Sequence, residues 1–227
     1  MISGRTRLVG LLGHPVTDSL SPPMQNAAFA ASGLDWAYVP CDVSLEAFEP
    51  AVRGLLAAGF AGANVTAPYK LAAAALAETE LSSVNTFVFE VGRIHGFSTD
   101  AAVLAGLAAE RPVVLGDGGA AAAFRAALPQ ARTFARRGEW PPDVGDADLV
   151  VNATSERDEV LAELGSGQTL VDLPYPETAT ARAARERGAR VVGGLEVLVA
   201  QGAASFELWT GVPAPVEVMR RAVGLSS

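Results

Sequence analysis

The chain uses lysine once. Of its 17 basic residues all but Lys70 are arginine. A composition bias that replaced lysine wherever arginine would serve would leave this ammonium where proton exchange with a ligand is needed, although chance survival of a surface lysine accounts for it too. Lys70 closes the run Asn64-Val65-Thr66-Ala67-Pro68-Tyr69-Lys70. There polar Asn64 and Thr66 follow a short apolar stretch, and Pro68 starts a helix. A lysine in the first turn of a helix, at the end of a strand, is placed to act as a proton donor or acceptor. Asp100, in Gly96-Phe97-Ser98-Thr99-Asp100, is the carboxylate that could orient that ammonium and share its proton. Taken alone it could equally cap the next helix. Asparagine is nearly as rare as lysine, limited to Asn26, Asn64, Asn85 and Asn152, and Asn85 begins the run Asn85-Thr86 close to Asp100.

Two further constellations bind rather than react. In Ser19-Leu20-Ser21-Pro22-Pro23-Met24 Ser21 reads as a helix N-cap with Pro22 at the first helical position. Hydroxyls and free backbone N–H groups then converge on a place that favours an anion, although a plain cap accounts for the same residues. The strand candidate Arg111-Pro112-Val113-Val114-Leu115 runs into Gly116-Asp117-Gly118-Gly119-Ala120-Ala121 and an alanine-rich helix. This is G-x-G-x-x-A in its strand–turn–helix context: Gly116 for the turn, Gly118 for approach to a pyrophosphate, Ala121 for helix packing. The next strand, near 131–135, ends in Arg136-Arg137. An acidic residue there would bind the ribose hydroxyls of NAD, whereas arginine suits the 2′-phosphate of NADP. Asp117 puts a negative charge into a loop meant for a negative ligand.

The elements that must position these residues alternate along the chain, the pattern of an α/β protein with parallel strands. Strands are predicted near 7–13, 36–42, 59–65, 112–116, 131–135, 148–152, 168–173 and 189–192. Helices are predicted near 22–32, 45–58, 69–79, 100–109, 119–128, 178–188, 195–208 and 214–223. Runs 85–90 and 93–99 flank Val91-Gly92 as a β-hairpin. A break at about 98–100 precedes the fresh start of the glycine turn, which makes two lobes with a ligand cleft between them the natural expectation.

Composition excludes several other classes. Half the 227 residues are hydrophobic and 19% are charged, enough for a core and too apolar for a disordered chain. One cysteine, Cys41, rules out an internal disulfide, and with only His14 and His95 beside it there is no metal-ligand spacing. Cys41 is expected in the core. A net charge of -8 opposes nucleic acid and anionic membranes. The apolar run after Arg5 and Arg7 is too short for a signal peptide, and no stretch approaches the roughly 18 residues of a membrane span. The cytoplasm is the expected location, with small molecules as partners and a monomer or homodimer as the working form.

Together the motifs resemble the shikimate dehydrogenase family, in order and over nearly the whole chain. They are Ser19-Leu20-Ser21-Pro22, Asn64-Val65-Thr66-x-Pro68-x-Lys70, Val84-Asn85-Thr86, Thr99-Asp100, the Gly116 to Ala120 turn, Asn152-Ala153-Thr154, Asp172-x-x-Tyr175-x-Pro, and Gly194-Leu195-x-x-Leu198-x-x-Gln201 running into Phe206-x-x-Trp209-Thr210-Gly211. The resemblance implies NADPH-dependent, reversible reduction of 3-dehydroshikimate to shikimate. It also implies an α/β fold of two lobes: a substrate-binding domain over 1–98, a trimmed Rossmann-type NADP domain over 99–194, and C-terminal helices over 195–227 that return to the first lobe. By the family pattern Ser19 and Ser21 hold the substrate carboxylate with Tyr175. Thr66, Lys70, Asn85, Asp100 and Gln201 bind the ring hydroxyls and the reacting oxygen, and Lys70 with Asp100 is the proton-transfer pair. Gly116, Gly118, Gly119, Ala120, Arg136, Arg137, Asn152, Ala153, Thr154 and Gly194 lie on the cofactor side.

The chain departs from that pattern at Gln25, where histidine is usual, at Ser98, where asparagine is usual, and at Ala135-Arg136-Arg137, where Asn-Arg-Thr is typical. Between Arg137 and Asp148 it is too short and too proline-rich for the usual crossover helix. A quinate or aminoshikimate dehydrogenase, or a shikimate-binding protein with weakened cofactor binding, shares the same motifs.

Overall fold

The apolar run after Arg7 becomes β1 (Arg7–Gly13), buried from Val9 onward. A computed structural model describes residues 2–226. It divides the chain into two compact units, one running to Thr99 and resuming at Val199, the other spanning Asp100–Leu198. In the first unit β2 (Trp36–Asp42) and β3 (Gly62–Val65) lie parallel to β1 on either side of it. β4 (Thr86–Glu90) pairs antiparallel with β3, and β5 (Arg93–Phe97) with β4, giving the order β2-β1-β3-β4-β5. The hairpin turns on Val91 (φ 47°) and Gly92 (φ 78°). Two positive φ values are what a two-residue loop needs to follow the strand twist.

Helices α1 (Ser21–Ala31) and α2 (Phe48–Ala57) connect the parallel strands, and α3 (Lys70–Leu76) follows β3. Phe48, Val52, Ala63, Val65, Tyr69 and Phe87 make the core on one face, with the Phe48 and Tyr69 rings stacked at 4.6 Å. The later part of α6 (Gly194–Thr210) returns to this unit: the Phe206 ring stacks on Phe29 at 5.3 Å, and the Trp209 indole donates to the Phe87 carbonyl at 2.9 Å. α7 (Val216–Ala222) packs on α1.

The second unit is a parallel sheet of β6 (Pro112–Leu115), β7 (Arg132–Phe134), β8 (Leu149–Asn152), β9 (Thr169–Asp172) and β10 (Arg190–Val192), in the order β10-β9-β8-β6-β7. Every residue of β6 and β8 is buried, as central parallel strands require. α4 (Gly119–Ala127) joins β6 to β7, and α5 (Ala179–Glu186) joins β9 to β10. The other two crossovers contain no helix. Trp140, Val144 and Ala147 from the first, and Leu161, Ala162 and Leu164 from the second, bury themselves in the core where helix faces would have packed. The chain is thus mixed α/β with a Rossmann-like parallel sheet, the architecture the motifs imply.

The helix predicted over 100–109 forms only as a 3-10 helix, Asp100–Leu104. Gly106, at φ 80°, closes the following turn, with the Leu107 N–H donating to the Leu104 carbonyl. Cys41, expected in the core, is only half-buried, because β2 is the sheet's edge strand; burial pushes its thiol upward. Among the described residues no helix is long and apolar enough to cross a membrane.

Candidate active site

Strand order gathers the first unit's polar segments on one edge of its sheet. Leu12 of β1 stands opposite Val65 of β3, so the two strands end side by side. The antiparallel β4 starts at that level, with Asn64 opposite Thr86, and β5 finishes there, with Thr86 opposite Phe97. The segments after β1 and β3, the residue before β4 and the residues after β5 are therefore neighbours. Thr66 N–H donates to the Leu12 carbonyl at 2.9 Å, His14 N–H to Ala67 at 3.3 Å, Val65 N–H to Asn85 at 2.8 Å and Val84 N–H to Lys70 at 3.0 Å. The approach is close enough that a Cβ at Gly13 would sit 2.3 Å from the Thr66 methyl carbon. Lys70 is the first residue of α3 and is half-buried, as is Thr66.

Ser21 does not cap α1. It is the first helical residue, and Leu20 occupies the cap position. The Ser19 hydroxyl instead takes the Ser21 N–H at 3.3 Å, an ordinary serine turn that satisfies one of the free donors of the helix start.

Below this edge lies a polar network that the sequence does not announce. Tyr38, Asn64, Asn85, Thr86, Thr99 and Ser205 are each at most 5% exposed. The Tyr38 hydroxyl donates to Asn64 Oδ1 at 2.8 Å, and Asn64 Nδ2 faces the Asn85 carbonyl, Thr86 Oγ1 and Ser205 Oγ at 3.0–3.1 Å. Asn85 Oδ1 accepts the Thr99 N–H at 2.8 Å, and its Nδ2 donates to Thr99 Oγ1 at 2.9 Å. Ser205 closes the circle, 2.9 Å from Thr86 Oγ1 and 3.1 Å from Thr99 Oγ1, and donates to the carbonyl of Gln201 one turn earlier at 3.0 Å. Each buried group left without its partner would cost about 1–3 kcal/mol, so the network holds Asn85 and the Gln201 turn of α6 in one arrangement. Gln25, fully buried, adds a second tie by donating to the Gly202 carbonyl at 2.9 Å. The available signal for Ser205 was its helical spacing of four residues from Gln201, a hydroxyl on an otherwise apolar turn.

Asn26 proves structural: its amide bonds the Pro22 and Tyr38 carbonyls and the Tyr38 N–H at 2.8–2.9 Å. His14, on the surface, pairs with Asp42 at 2.6 Å, and the hydrogen bond from its ring holds the Asp42 carboxyl below the usual range.

In the second unit the glycine turn falls where the strand order reverses, at β6 between β7 and β8. In open parallel sheets that is where ligands bind. Gly116 N–H donates to the Phe134 carbonyl at 2.8 Å and Ala153 N–H to the Leu115 carbonyl at 3.0 Å. Gly116 has φ 118°, and a Cβ there would stand 3.0 Å from the Ala153 oxygen, so glycine is required twice over. Gly118 precedes α4 with no side-chain cap and no acidic residue in the first turn, and the space off its Cα is open. A helix start with room beside it fits a pyrophosphate. Gly119 and Ala120 begin that helix, Ala121 is fully buried against the sheet, and Asp117 is exposed.

Asn152 fixes the neighbouring strand end. Its Oδ1 accepts the N–H and hydroxyl of Thr154 at 3.1 and 2.7 Å, and its Nδ2 donates to Asp172 at 2.7 Å. Asp172 also accepts the hydroxyl of Thr178, the cap of α5, at 2.8 Å. Burial pushes the Asp172 carboxyl up against the opposing pull of those two donors. Tyr175 is half-buried three residues on, and Gly194 starts α6 so close to the Leu173-Pro174 backbone that a Cβ would lie 2.3 Å from the Pro174 oxygen. Arg136 and Arg137 follow β7 on the surface, and two arginines there fit a 2′-phosphate. Ser19, Ser21, Thr66, Lys70, Asn85 and Gln201 thus belong to the first unit, while Asp100, buried, opens the second, which also holds Tyr175 and the cofactor-side residues.

A family model described as the shikimate dehydrogenase substrate binding domain matches residues 11–86, and one described as the shikimate 5'-dehydrogenase C-terminal domain matches residues 194–223. The shikimate dehydrogenase (NADP(+)) of Anaeromyxobacter dehalogenans strain 2CP-C is 40% identical, with 98% of each chain covered. That alignment runs over 273 positions against 227 residues here, so the relative carries extra interior positions. Among solved structures, the shikimate dehydrogenase of Aquifex aeolicus superposes with a TM-score of 0.88 at 30% identity, covering 99% of this chain and all of its own. The shikimate 5-dehydrogenase of Thermus thermophilus, solved with NADP(H) and shikimate, gives 0.82 at 31% identity, covering 95% of this chain and 98% of its own.

Proposed function

The chain belongs to the shikimate dehydrogenase family, and from that premise we propose how its residues carry out the reversible, NADP-linked reduction of 3-dehydroshikimate to shikimate. The activity is that of an oxidoreductase on a CH–OH group. The observation that supports the assignment of roles is the convergence of the segment after β1 with Thr66, Lys70 and Asn85 on one sheet edge.

The hydroxyls of Ser19 and Ser21, with Tyr175, hold the substrate carboxylate. Thr66, Asn85 and Gln201 bind the ring hydroxyls and so fix which face of the ketone is presented. When bound, NADPH supplies the hydride that reduces the ketone carbon. Lys70 gives its ammonium proton to the ketone oxygen as negative charge builds there, and in the oxidation direction its neutral amine takes the hydroxyl proton. The Asp100 carboxylate orients Lys70 and shares that proton. Asn85 arrives with its orientation fixed by Thr99, so little side-chain entropy is lost on binding. We place the enzyme in the cytoplasm, acting on small molecules as a monomer or homodimer.

The test is shikimate-dependent reduction of NADP, followed by nucleotide absorbance, with NAD and quinate in parallel and Lys70→Ala as control. Turnover with NADP that is lost in the variant is expected. A higher kcat/KM for quinate would overturn the substrate assignment, and absence of turnover with either nucleotide would overturn the enzymatic one.

A further inference from the structure

The two arginines after β7 stand in different electrostatic company. The Arg136 guanidinium is ion-paired with Glu159, lies 3.9 Å from the Glu156 carboxylate, and sits 5.5 Å from the centre of the Trp140 ring. Arg137 is exposed and makes no ion pair among the described residues. The Glu156 carboxylate is itself built in: one oxygen accepts the N–H groups of Arg157 and Asp158, both at 3.0 Å, and these bonds hold its carboxyl below the usual range. Its own N–H donates to Thr154 Oγ1 at 3.2 Å, which anchors it to the segment fixed by Asn152.

Phe134, the last residue of β7, accepts the Gly116 N–H, so the arginine pair lies beside the glycine turn, where a sheet of this order meets the ribose 2′ position. We propose that Glu156 and Glu159 serve as an internal counter-ion to Arg136, so that a 2′-phosphate must compete with them and discrimination of NADP from NAD rests mainly on Arg137. This rests on the NADP reading above and refines it. A 2′-phosphate brought to Arg136 must displace Glu159 and stand beside Glu156, and both contacts are repulsive. A 2′-hydroxyl meets neither penalty.

Calorimetric titration of the ligand-free protein with 2′,5′-ADP and with 5′-AMP isolates the 2′-phosphate without any turnover. The Glu156→Gln/Glu159→Gln double variant is expected to bind 2′,5′-ADP about fivefold tighter, the scale of one exposed ion pair, with 5′-AMP unchanged. Glu163→Gln, elsewhere in the same unit, controls for net charge and is expected to leave both ligands unmoved. Arg137→Ala should remove more of the preference for 2′,5′-ADP than Arg136→Ala. The proposal is overturned if the double variant binds 2′,5′-ADP no tighter, if 5′-AMP or the control tightens equally, or if Arg136→Ala has the larger effect. Wild-type protein that binds neither nucleotide overturns the NADP reading itself, and the proposal with it. Wild-type binding of both, with any of the preceding results, overturns the proposal alone.

Discussion

At the carboxyl edge of the first sheet six polar side chains bond to one another out of water. At the corresponding edge of the second, a smaller cluster of Asn152, Asp172 and Thr178 is buried, and beyond it Arg136 pairs with Glu159 on the surface. Interior hydrogen bonds are unscreened and costly to leave unmade, so they hold a geometry. Exposed ion pairs are worth little and rearrange readily. On the proposed function the first edge orients a small ring with several hydroxyls, and the second accepts a long flexible ligand through backbone N–H groups and a few charges.

The contrast can be broken or sharpened at four places. The largest effect should come from Lys70→Ala, which removes the proposed proton donor and should lower kcat by about a hundredfold or more while Tm stays near wild type. Wild-type turnover in the variant would take Lys70 out of the mechanism. Next is Gly116→Ala, which forces a side chain into a positive-φ turn and against the Ala153 oxygen. About 2 kcal/mol of stability should be lost and nucleotide binding weakened, with shikimate binding, read by calorimetry, intact. An equal loss of shikimate affinity would show that the two edges are not independent.

Ser205→Ala leaves donors and acceptors of Asn64, Thr86 and Thr99 short of a partner. A cost of about 1–2 kcal/mol is expected in denaturant unfolding, with a raised KM for shikimate and an unchanged Kd for NADP. A shift in the nucleotide constant instead would place the network's influence elsewhere.

The smallest effect is a pH slope. Burial raises the Asp172 carboxyl in the folded protein above its unfolded value. Its contribution is therefore fully present below the ordinary carboxylate range and is lost as pH rises through the folded value. Asp172→Asn cannot titrate, so the Tm of the variant relative to wild type should climb as pH rises above the ordinary carboxylate range. A difference that stays flat over that rise would show that Asp172 is not shifted upward.

Much of the fold was legible because its signals are local. β1 and β2 begin and end where the apolar runs 7–13 and 36–42 do, and the Val91-Gly92 turn marks the hairpin between β4 and β5. Residues 100–109 misled because helix propensity in an alanine-rich stretch says nothing about Gly106, whose positive φ ends the turn. Ser21 misled because the helix starts one residue earlier than its capping role requires, with Leu20 in the cap position and Ser19 accepting the Ser21 N–H. Tyr38 and Ser205 were missed because neither belongs to a recognisable motif, and the carboxylate partners of Arg136 were not legible because they lie on a different loop.

The sequence by itself determined the identity and local setting of the chemistry: one lysine at a helix start, a glycine turn between a strand and a helix, serines ahead of Pro22. Each of these depends on residues within a few positions of one another, where backbone sterics and capping act. Only the tertiary structure decided that β3 lies beside β1 and that β4 returns antiparallel, which brings those short segments to a common edge. It alone linked Ser205 to Asn64, 141 positions apart, and Gln25 to Gly202, 177 apart. Contacts at such separations follow from strand order and helix packing, and no local pattern of residues encodes them.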